Sequence, residues 1–344
     1  MMDNREEEII EFVKNNGECT SKEIHNNIKT DISYTTLKRV LVKLKNQNLI
    51  DTTGLGKGTK YKISASFQLI QPINIEQYFE NEIDERQITE SFNFSIISEV
   101  ISNTNSFTDN ELEKLNQLQE KFKANITGLS SSAYKKEMER LAIDLSWKSS
   151  QIEGNTYSLL ETERLLKEKE TAAGKTREEA TMLLNHKEAI DFLVEHKDYL
   201  TPLSVSKIED IHSILTKELG VERNLRTRRV GISGTNYKPL DNEFQIKEAL
   251  KSSCNVINSK ENIFEKALLA LVLISYIQPF MDGNKRTARI VSNAILLNYN
   301  YCPISFRTVD SIHYKKAMLL FYEQNNLSNF KDIFINQFEF AVET

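Results

Sequence analysis

The segment Phe264–Ile277 limits the fold of this chain more than any other part of it. Apolar residues occupy nearly every face of a helix there, including the uninterrupted run Ala267–Ile274. Other elements must bury a helix that is apolar all round, so we expect it at the centre of a helical core. The 344 residues include only five prolines and eleven glycines, which leaves little room for a turn-rich β domain. The sequence therefore predicts a mainly α fold.

Bulk properties narrow the class of protein further. The longest apolar run is well short of the roughly 18 residues that a membrane span needs, and the N-terminus does not have the pattern of a signal peptide. We therefore expect a cytoplasmic protein with no membrane partner. Cys19, Cys254 and Cys302 are scattered, which indicates neither a disulfide framework nor a zinc site. The net charge of -5 gives no overall attraction to nucleic acid.

The first 66 residues have the pattern of a winged helix-turn-helix. Two short helices are indicated before Ser33, which can cap a third helix. The buried stripe of this third helix would consist of Leu37, Val40, Leu41 and Leu44. Strand-like stretches at 49–51 and 60–63 flank a glycine-rich turn, which predicts a hairpin with a wing at its tip.

The exposed side of the third helix is predicted to contact DNA. Eight basic residues and two acidic ones lie between Lys29 and Lys62, so the positive charge is local. The candidate DNA-binding residues are Tyr34, Thr35, Lys38, Arg39 and Lys43. Winged helices also serve as protein-interaction or dimerisation modules, so a homodimer remains an alternative.

The rest of the chain is predicted to form one long helical domain. Residues 67–109 are acidic and weakly periodic, and we interpret them as a connecting segment. Helical spacing then recurs through residues 110–344. Capping boxes mark two of the helix starts, at Ser158 with Glu161 and at Thr176 with Glu179.

A loop directly after the apolar helix has the composition of an anion site. Pro279 and Gly283 must end that helix before another begins near Lys285. The start of a helix offers free backbone N–H groups and a partial positive charge, which suit a phosphate.

Three side chains strengthen this prediction of a Mg-nucleotide site. Arg286 and Arg289 lie on one helix face and can clamp phosphate oxygens, while Asp282 offers a hard oxygen to magnesium. The alternative from spacing alone is that Asp282 caps the helix and that the arginines form surface ion pairs.

Residues 278–289, QPFMDGNKRTAR, resemble the Fic signature HxFx(D/E)GN(G/K)RxxR at all but its first defined position. The Fic family is mainly α-helical, and most members transfer AMP from ATP to a protein hydroxyl. The resemblance implies a Fic (Fido) fold with a short β-hairpin flap, ATP and Mg²⁺ as cofactors, and a protein target with a hydroxyl side chain. It implies core anchoring for Phe280, metal binding for Asp282, and nucleotide binding for Asp282, Gly283, Asn284, Lys285, Arg286 and Arg289.

Two positions depart from the commonest form of that signature. Gln278 replaces the histidine that acts as general base, and an amide cannot take a proton at neutral pH. Lys285 replaces a glycine, as in the Doc toxins, which leaves the orientation of the nucleotide open. We therefore expect an impaired transferase that acts as a DNA-binding, nucleotide-responsive regulator. An active adenylyltransferase, a Doc-like kinase and a toxin-antitoxin-like module remain alternatives.

Two further segments support the resemblance. Residues 147–155 resemble the Fic inhibitory motif (S/T)xxxE(G/N), with Ser149, Glu153 and Gly154 on its defined positions. The resemblance implies that Glu153 pairs with Arg289 and obstructs the γ-phosphate. Residues 229–239 are strand-like and resemble the family's flap, for which the candidate target-binding residues are Gly231, Gly234 and Tyr237.

Overall fold

The computed structural model describes residues 3–344, apart from the side chain of Lys57. Residues 1 and 2 of the predicted first domain, and the side chain of one of the eight basic residues between Lys29 and Lys62, therefore lie outside the described part. The chain divides into two compact units, of which one ends at Pro72 and the other comprises Ile73–Thr344.

The first unit is a winged helix-turn-helix, as predicted. Its elements are α1 (Asn4–Asn16), β1 (Cys19–Thr20), α2 (Ser21–Asn27), α3 (Tyr34–Asn46), β2 (Ile50–Thr53), β3 (Lys60–Ile63) and α4 (Ala65–Ile70). The strands form an antiparallel sheet in the order β1-β3-β2, with Thr52 opposite Tyr61. Side chains of Thr20 and Ser33 cap α2 and α3. The predicted stripe of α3 packs into the unit's core with the apolar face of α1.

The second unit is helical. Its helices are α5 (Ile75–Tyr78), α6 (Asp109–Thr127), α7 (Ser131–Ile152), α8 (Leu159–Glu168), α9 (Arg177–Glu195), α10 (Val205–Leu215), α11 (Glu243–Ser259), α12 (Ile263–Ile277), α13 (Asn284–Asn298), α14 (Ser311–Gln324) and α15 (Ser328–Glu343), with a π-helical segment at Ile96–Ile101. Both predicted capping boxes are present, at the starts of α8 and α9. Local side-chain hydrogen bonds therefore start these helices where the sequence indicates.

Helix α12 is the centre of this unit, as its composition predicts. Every residue of Phe264–Ile277 except Lys266 is buried. It packs against α11, α13, α14 and α15, and α13 in turn contacts α7, α9 and α10. Within residues 3–344, no helix is both long enough and apolar enough to cross a membrane.

The predicted connecting segment, residues 67–109, divides between the two units. Its first residues belong to α4 of the first unit, and the chain from Ile73 onward packs on the second. Apolar side chains at Ile96, Ile97 and Ile101 are buried there. These isoleucines fit a helical surface once α11 lies against them, a long-range contact that local periodicity does not reveal.

The structure also differs from the predicted flap hairpin. Residues 229–239 form no pair of strands and run as an extended loop. Their backbone partner lies elsewhere in the chain, because Lys238 forms an isolated parallel bridge with Ser91. Tyr237 is buried, so its side chain is not available to a target.

Candidate functional site

The candidate site begins where α12 ends. Gln278 caps this helix in the left-handed region, with φ of 52°, which turns the chain into the loop. Buried Arg226 holds the turn, since its Nε donates to the carbonyl of Gln278 at 2.6 Å. Its backbone N–H donates to the carbonyl of Pro279 at 2.9 Å. One arginine thus fixes two consecutive residues of the loop.

The middle of the loop is fixed by hydrogen bonds within the loop and by contacts with His212 of α10. The side chain of Asn284 accepts from the N–H of Phe280 and donates to its carbonyl, both at 2.8 Å. The buried ring of Phe280 stacks on His212 with centroids 3.7 Å apart. The Nε2 of His212 lies 3.0 Å from the carbonyl oxygen of Asp282, to which it can donate. Contacts within the protein itself therefore hold the shape of the loop.

Gly283 is the residue that lets α13 begin at this point. Its φ of 78° is in the left-handed region, and a Cβ there would lie 3.2 Å from the side chain of Thr216. A larger residue would therefore both strain the backbone and crowd the loop. The start of α13 leaves N–H groups of the first turn directed out of the helix, which is the predicted anion site.

Two buried arginines lie on this first part of α13. Arg286 and Arg289 are 1% and 0% exposed. Nε and Nη1 of Arg286, and Nη1 of Arg289, have no hydrogen-bond partner among the described residues. Donors of a buried cation are costly to leave unpaired, so an anionic ligand with several acceptor oxygens would satisfy them.

The end of α7 reaches the second arginine. Glu153 Oε1 lies 2.7 Å from Nη2 of Arg289, which is the ion pair that the resemblance implies. The Ser149 hydroxyl and carbonyl oxygens accept two more bonds from the same guanidinium, at 2.8 and 3.0 Å. Gly154 follows with φ of 102° and turns the chain away from the site. All three residues of the predicted inhibitory segment thus lie at or beside Arg289.

The charge of Glu153 is stable in this position. Burial by itself would raise the pKa of its carboxyl. The charges of Arg289 and Lys285, together with the hydrogen bond from Arg289, outweigh that effect and hold the pKa below its usual range. Glu153 is therefore ionised at neutral pH and remains attracted to the arginine.

The side chain of Gln278 is held by three hydrogen bonds. Its Nε2 donates to the carbonyl of Ser275 at 2.7 Å and to the hydroxyl of Tyr322 at 3.0 Å. Its Oε1 accepts from Asn284 at 3.1 Å. Tyr322 in turn donates to the same Ser275 carbonyl at 2.9 Å. The amide is thus part of the structure of the loop.

Asp282 is the predicted metal ligand, and its surroundings fit a magnesium ion held mainly by a nucleotide. Its side chain is 69% exposed; Oδ1 accepts from the N–H of Gly283, and Oδ2 pairs with Arg286 at 3.1 Å. Among the described residues, no group of three or more His, Cys, Asp or Glu side chains could hold a metal. Mg²⁺ commonly uses one or two carboxylates plus phosphate and water oxygens, so a single exposed carboxylate suffices.

A cleft of about 310 Å³ lies between part of this site and the 229–239 loop. Its lining includes Glu153, Gly231, Gln278, Lys285, Lys315 and Tyr322. Gly231 and Gly234 are exposed, whereas Tyr237 stacks on Tyr276 and Tyr322 below the surface. Of the predicted target-binding residues, the two glycines are therefore accessible and the tyrosine is not.

The candidate DNA-binding residues lie on α3 of the first unit. Tyr34, Thr35 and Arg39 are exposed, and Lys38 lies over the Tyr34 ring, 5.5 Å from its centroid. Lys43 forms an ion pair with the buried carboxylate of Glu6, which makes it part of the unit's own structure.

Sequence reasoning did not identify Arg226 or Tyr322 as site residues. Arg226 lies in an arginine-rich segment, a pattern that usually indicates an exposed surface. The structure nevertheless buries it fully. Tyr322 is 44 residues from Gln278 along the chain. No local pattern distinguishes either residue. His212 was also not identified as a site residue, although it stacks on Phe280 and can donate to the carbonyl of Asp282.

Comparison with known proteins agrees with this geometry. A family model described as the Fic/DOC family matches residues 202–296, and one described as penicillinase repressor matches residues 3–121. The protein adenylyltransferase Fic of Nematostella vectensis is 31% identical over 197 residues, which are 54% of this chain and 43% of that protein. The chain spans less than half the length of the curated relatives it matches.

Solved structures show the same fold. The Fic-1 structure from Caenorhabditis elegans has a TM-score of 0.56 at 21% identity, covering 68% of this chain and 69% of that one. A Fic domain containing signaling protein from Bacteroides thetaiotaomicron has a TM-score of 0.55 at 21% identity, covering 67% and 94%.

Fold and loop together define a helical unit of the Fic fold joined to a winged helix. The match to the Fic/DOC family lies within the second unit, and the match to the penicillinase repressor model begins in the first unit and continues past Ile73.

Proposed function

We propose that this protein is a nucleotide-responsive regulator, in which a Fic-type ATP site with impaired transfer chemistry is coupled to a DNA-binding winged helix. The observation that carries the proposal is the pair of constraints on one loop. Gln278 is bound through its amide at the position of the family's catalytic histidine, and Glu153 is bound to Arg289.

Nucleotide binding is supported by the unpaired donors at the start of α13. The phosphates of ATP would accept from Arg286, Arg289 and the N–H groups of the first helical turn. Asp282 would hold a Mg²⁺ ion, which supplies charge neutralisation to the phosphates when bound. The single exposed carboxylate of Asp282 suits an ion that takes its other oxygens from phosphate and water.

Impairment is supported by the hydrogen bonds of Gln278. A general base contributes about 100 to 10,000-fold in rate, and an amide cannot fill that role. His186 and His212 are the histidines close to the loop, and neither lines the cleft. Burial lowers the pKa of His186 well below its ordinary value, and His212 is engaged with Asp282.

Restraint of the transfer reaction is supported by the ion pair between Glu153 and Arg289. A carboxylate on Arg289 competes with phosphate oxygens for the same guanidinium and adds negative charge where the γ-phosphate would lie. The site would therefore bind ATP in a pose that does not favour transfer. The curated relatives are protein adenylyltransferases, and the impaired reaction would be transfer of AMP to a protein hydroxyl presented at Gly231 and Gly234.

DNA binding is supported by the exposed face of α3. Thr35 and Arg39 are exposed together on the helix that a winged helix places in the major groove. The N-terminal match to a repressor model supports the same role. Binding of a nucleotide to the second unit would then change how the first unit binds DNA. A homodimer would fit this role.

Lys285 favours a second candidate, an active adenylyltransferase or a Doc-like kinase. Its side chain lines the cleft beside Glu153, and within residues 3–344 it forms no ion pair. A free lysine there can bind a phosphate that the usual glycine would not contact, and so reorient the donor.

Calorimetric titration with Mg-ATP, followed by incubation with α- or γ-labelled ATP, tests the proposal. We expect wild type to bind Mg-ATP, Arg286→Ala to bind it at least tenfold more weakly, and neither to transfer label efficiently. Arg177→Ala, which changes an exposed ion pair with Glu218, is the matched control. Transfer from the α-position would establish an adenylyltransferase, and transfer from the γ-position a kinase. Equal affinity in wild type and Arg286→Ala would refute nucleotide binding at this loop.

A further inference from the structure

A second segment of the chain runs beside the 229–239 loop and is bound to it at three points. The Arg86 guanidinium donates to the carbonyl of Gly234 at 2.6 Å. The side chain of Asn236 donates to Asp84 at 2.8 Å, and the N–H of Lys238 donates to the carbonyl of Glu90 at 2.8 Å. Residues 84–91, which we call the strap, therefore follow the edge of residues 234–238.

The strap is anchored to α14 by a buried ion pair. Nη2 of Arg86 lies 3.3 Å from Oε1 of Glu323, and their side chains are only 4% and 0% exposed. Glu323 also accepts from the Tyr78 hydroxyl at 2.7 Å, and its carbonyl accepts from the N–H of Thr89 at 2.8 Å. The charge of Arg86 and the hydroxyl of Tyr78 thus hold a buried carboxylate, so the end of α14 fixes where the strap lies.

One guanidinium thus joins the loop to the helix that supports the site. Glu323 directly follows Tyr322, whose hydroxyl bonds to Gln278. The other contact of Arg86, Gly234, lies three residues from Gly231 in the cleft lining.

We infer that Arg86 is a positioning residue, which holds residues 234–238 in register with the cleft through a hydrogen bond to Gly234 and an ion pair with Glu323. That this loop presents a target rests on the proposed function. Because the strap already pairs with residues 234–238 on one side, we expect an incoming extended peptide to pair with residues 229–233. The partner that fits is a short extended segment rather than a long strand.

Hydrogen exchange followed by mass spectrometry on the full chain tests the inference. Arg86→Lys keeps a positive charge facing Glu323, but we expect its shorter side chain not to bring the ammonium to the place where Nη2 of Arg86 contacts both partners. We expect exchange in residues 234–238 to quicken about tenfold in this variant, since loss of a bond to a charged donor frees the loop locally. Asn236→Ala, which leaves the buried ion pair intact, should quicken the same amides. Arg177→Ala should leave them unchanged.

Stability separates positioning from a merely structural role. Arg86→Ala leaves the Glu323 carboxylate buried without its cation, so the urea midpoint of the second unit should fall. Arg86→Lys should restore most of that midpoint while the fast local exchange remains. Wild-type exchange at residues 234–238 in Arg86→Lys would overturn the inference, whatever the result for Asn236→Ala.

The same variants keep this result apart from the nucleotide proposal. Their Mg-ATP affinity should equal that of wild type, because none of the changes touches residues 282–289. A tenfold loss of Mg-ATP affinity in Arg86→Lys would contradict a role confined to the loop. Failure of wild type to bind Mg-ATP would count against the proposed function alone, since the exchange measurement needs no ligand.

Discussion

The pH dependence of stability tests the buried position of His212. This residue supports the ligand loop, residues 278–289. Its ring is fully buried against Phe280. Burial lowers the pKa of His212 to about 4, although the hydrogen bond with the Asp282 carbonyl acts in the opposite direction. In the unfolded chain, a histidine titrates near about 6.5.

The size of the effect follows from these two values. Between pH 6.5 and 4 the unfolded chain binds a proton at this histidine and the folded protein does not. Stability therefore falls as the pH falls through this interval, by about 1.4 kcal/mol per pH unit and about 3 kcal/mol in total. Above pH 7 the histidine is neutral in both states and contributes no pH dependence.

Urea denaturation monitored by fluorescence provides the assay. Trp147 is the only tryptophan of the chain and lies in α7, so its emission reports on the second unit. The free energy of unfolding should fall by about 2 kcal/mol more in wild type than in His212→Gln between pH 7 and pH 5. His186 is present in both proteins, so its contribution cancels in the comparison. Parallel pH profiles for the two proteins would refute the buried, neutral state of His212.

Four further predictions concern the loop and the winged helix. Glu153→Gly should strengthen Mg-ATP binding about tenfold by calorimetry, because it frees a guanidinium from a charged hydrogen bond; unchanged affinity would show that the carboxylate does not compete. Combined with Gln278→His, it should restore far more self-labelling from α-labelled ATP than either change alone, and additive effects would contradict two groups serving one step. Arg39→Glu should weaken binding to duplex DNA about tenfold at low salt, whereas Lys43→Met, whose ammonium pairs within its own unit, should weaken it less; equal losses would remove α3 as the contact. Gly283→Ala should weaken Mg-ATP binding at least tenfold through loss of the left-handed turn, and wild-type affinity would show that the turn is not required.

Much of the fold could be predicted because its signals are local. The capping serines and threonines of α2, α3, α8 and α9 lie within three residues of the N–H groups they bind. The all-apolar composition of α12 likewise allows only a buried position. Such features depend only on residues that are close along the chain, so they can be predicted from the sequence.

The flap could not be predicted in the same way. Residues 229–239 alternate like a strand, but strand pairing depends on which backbone comes alongside. Here the partner is the strap, more than 140 residues earlier in the chain, so no hairpin forms. Tyr237 is buried for the same reason, since the ring stacks on Tyr276 and Tyr322 once the strap holds its backbone.

The sequence by itself determined the composition of the ligand loop, because residues 278–289 are contiguous and their order decides where a helix can start. The tertiary structure alone decided what surrounds that loop. Glu153 and Arg289 are 136 residues apart, and Arg226 and Gln278 are 52 apart. Whether such residues meet depends on how whole helices pack, since a charged side chain is buried only where the fold brings its partner to it.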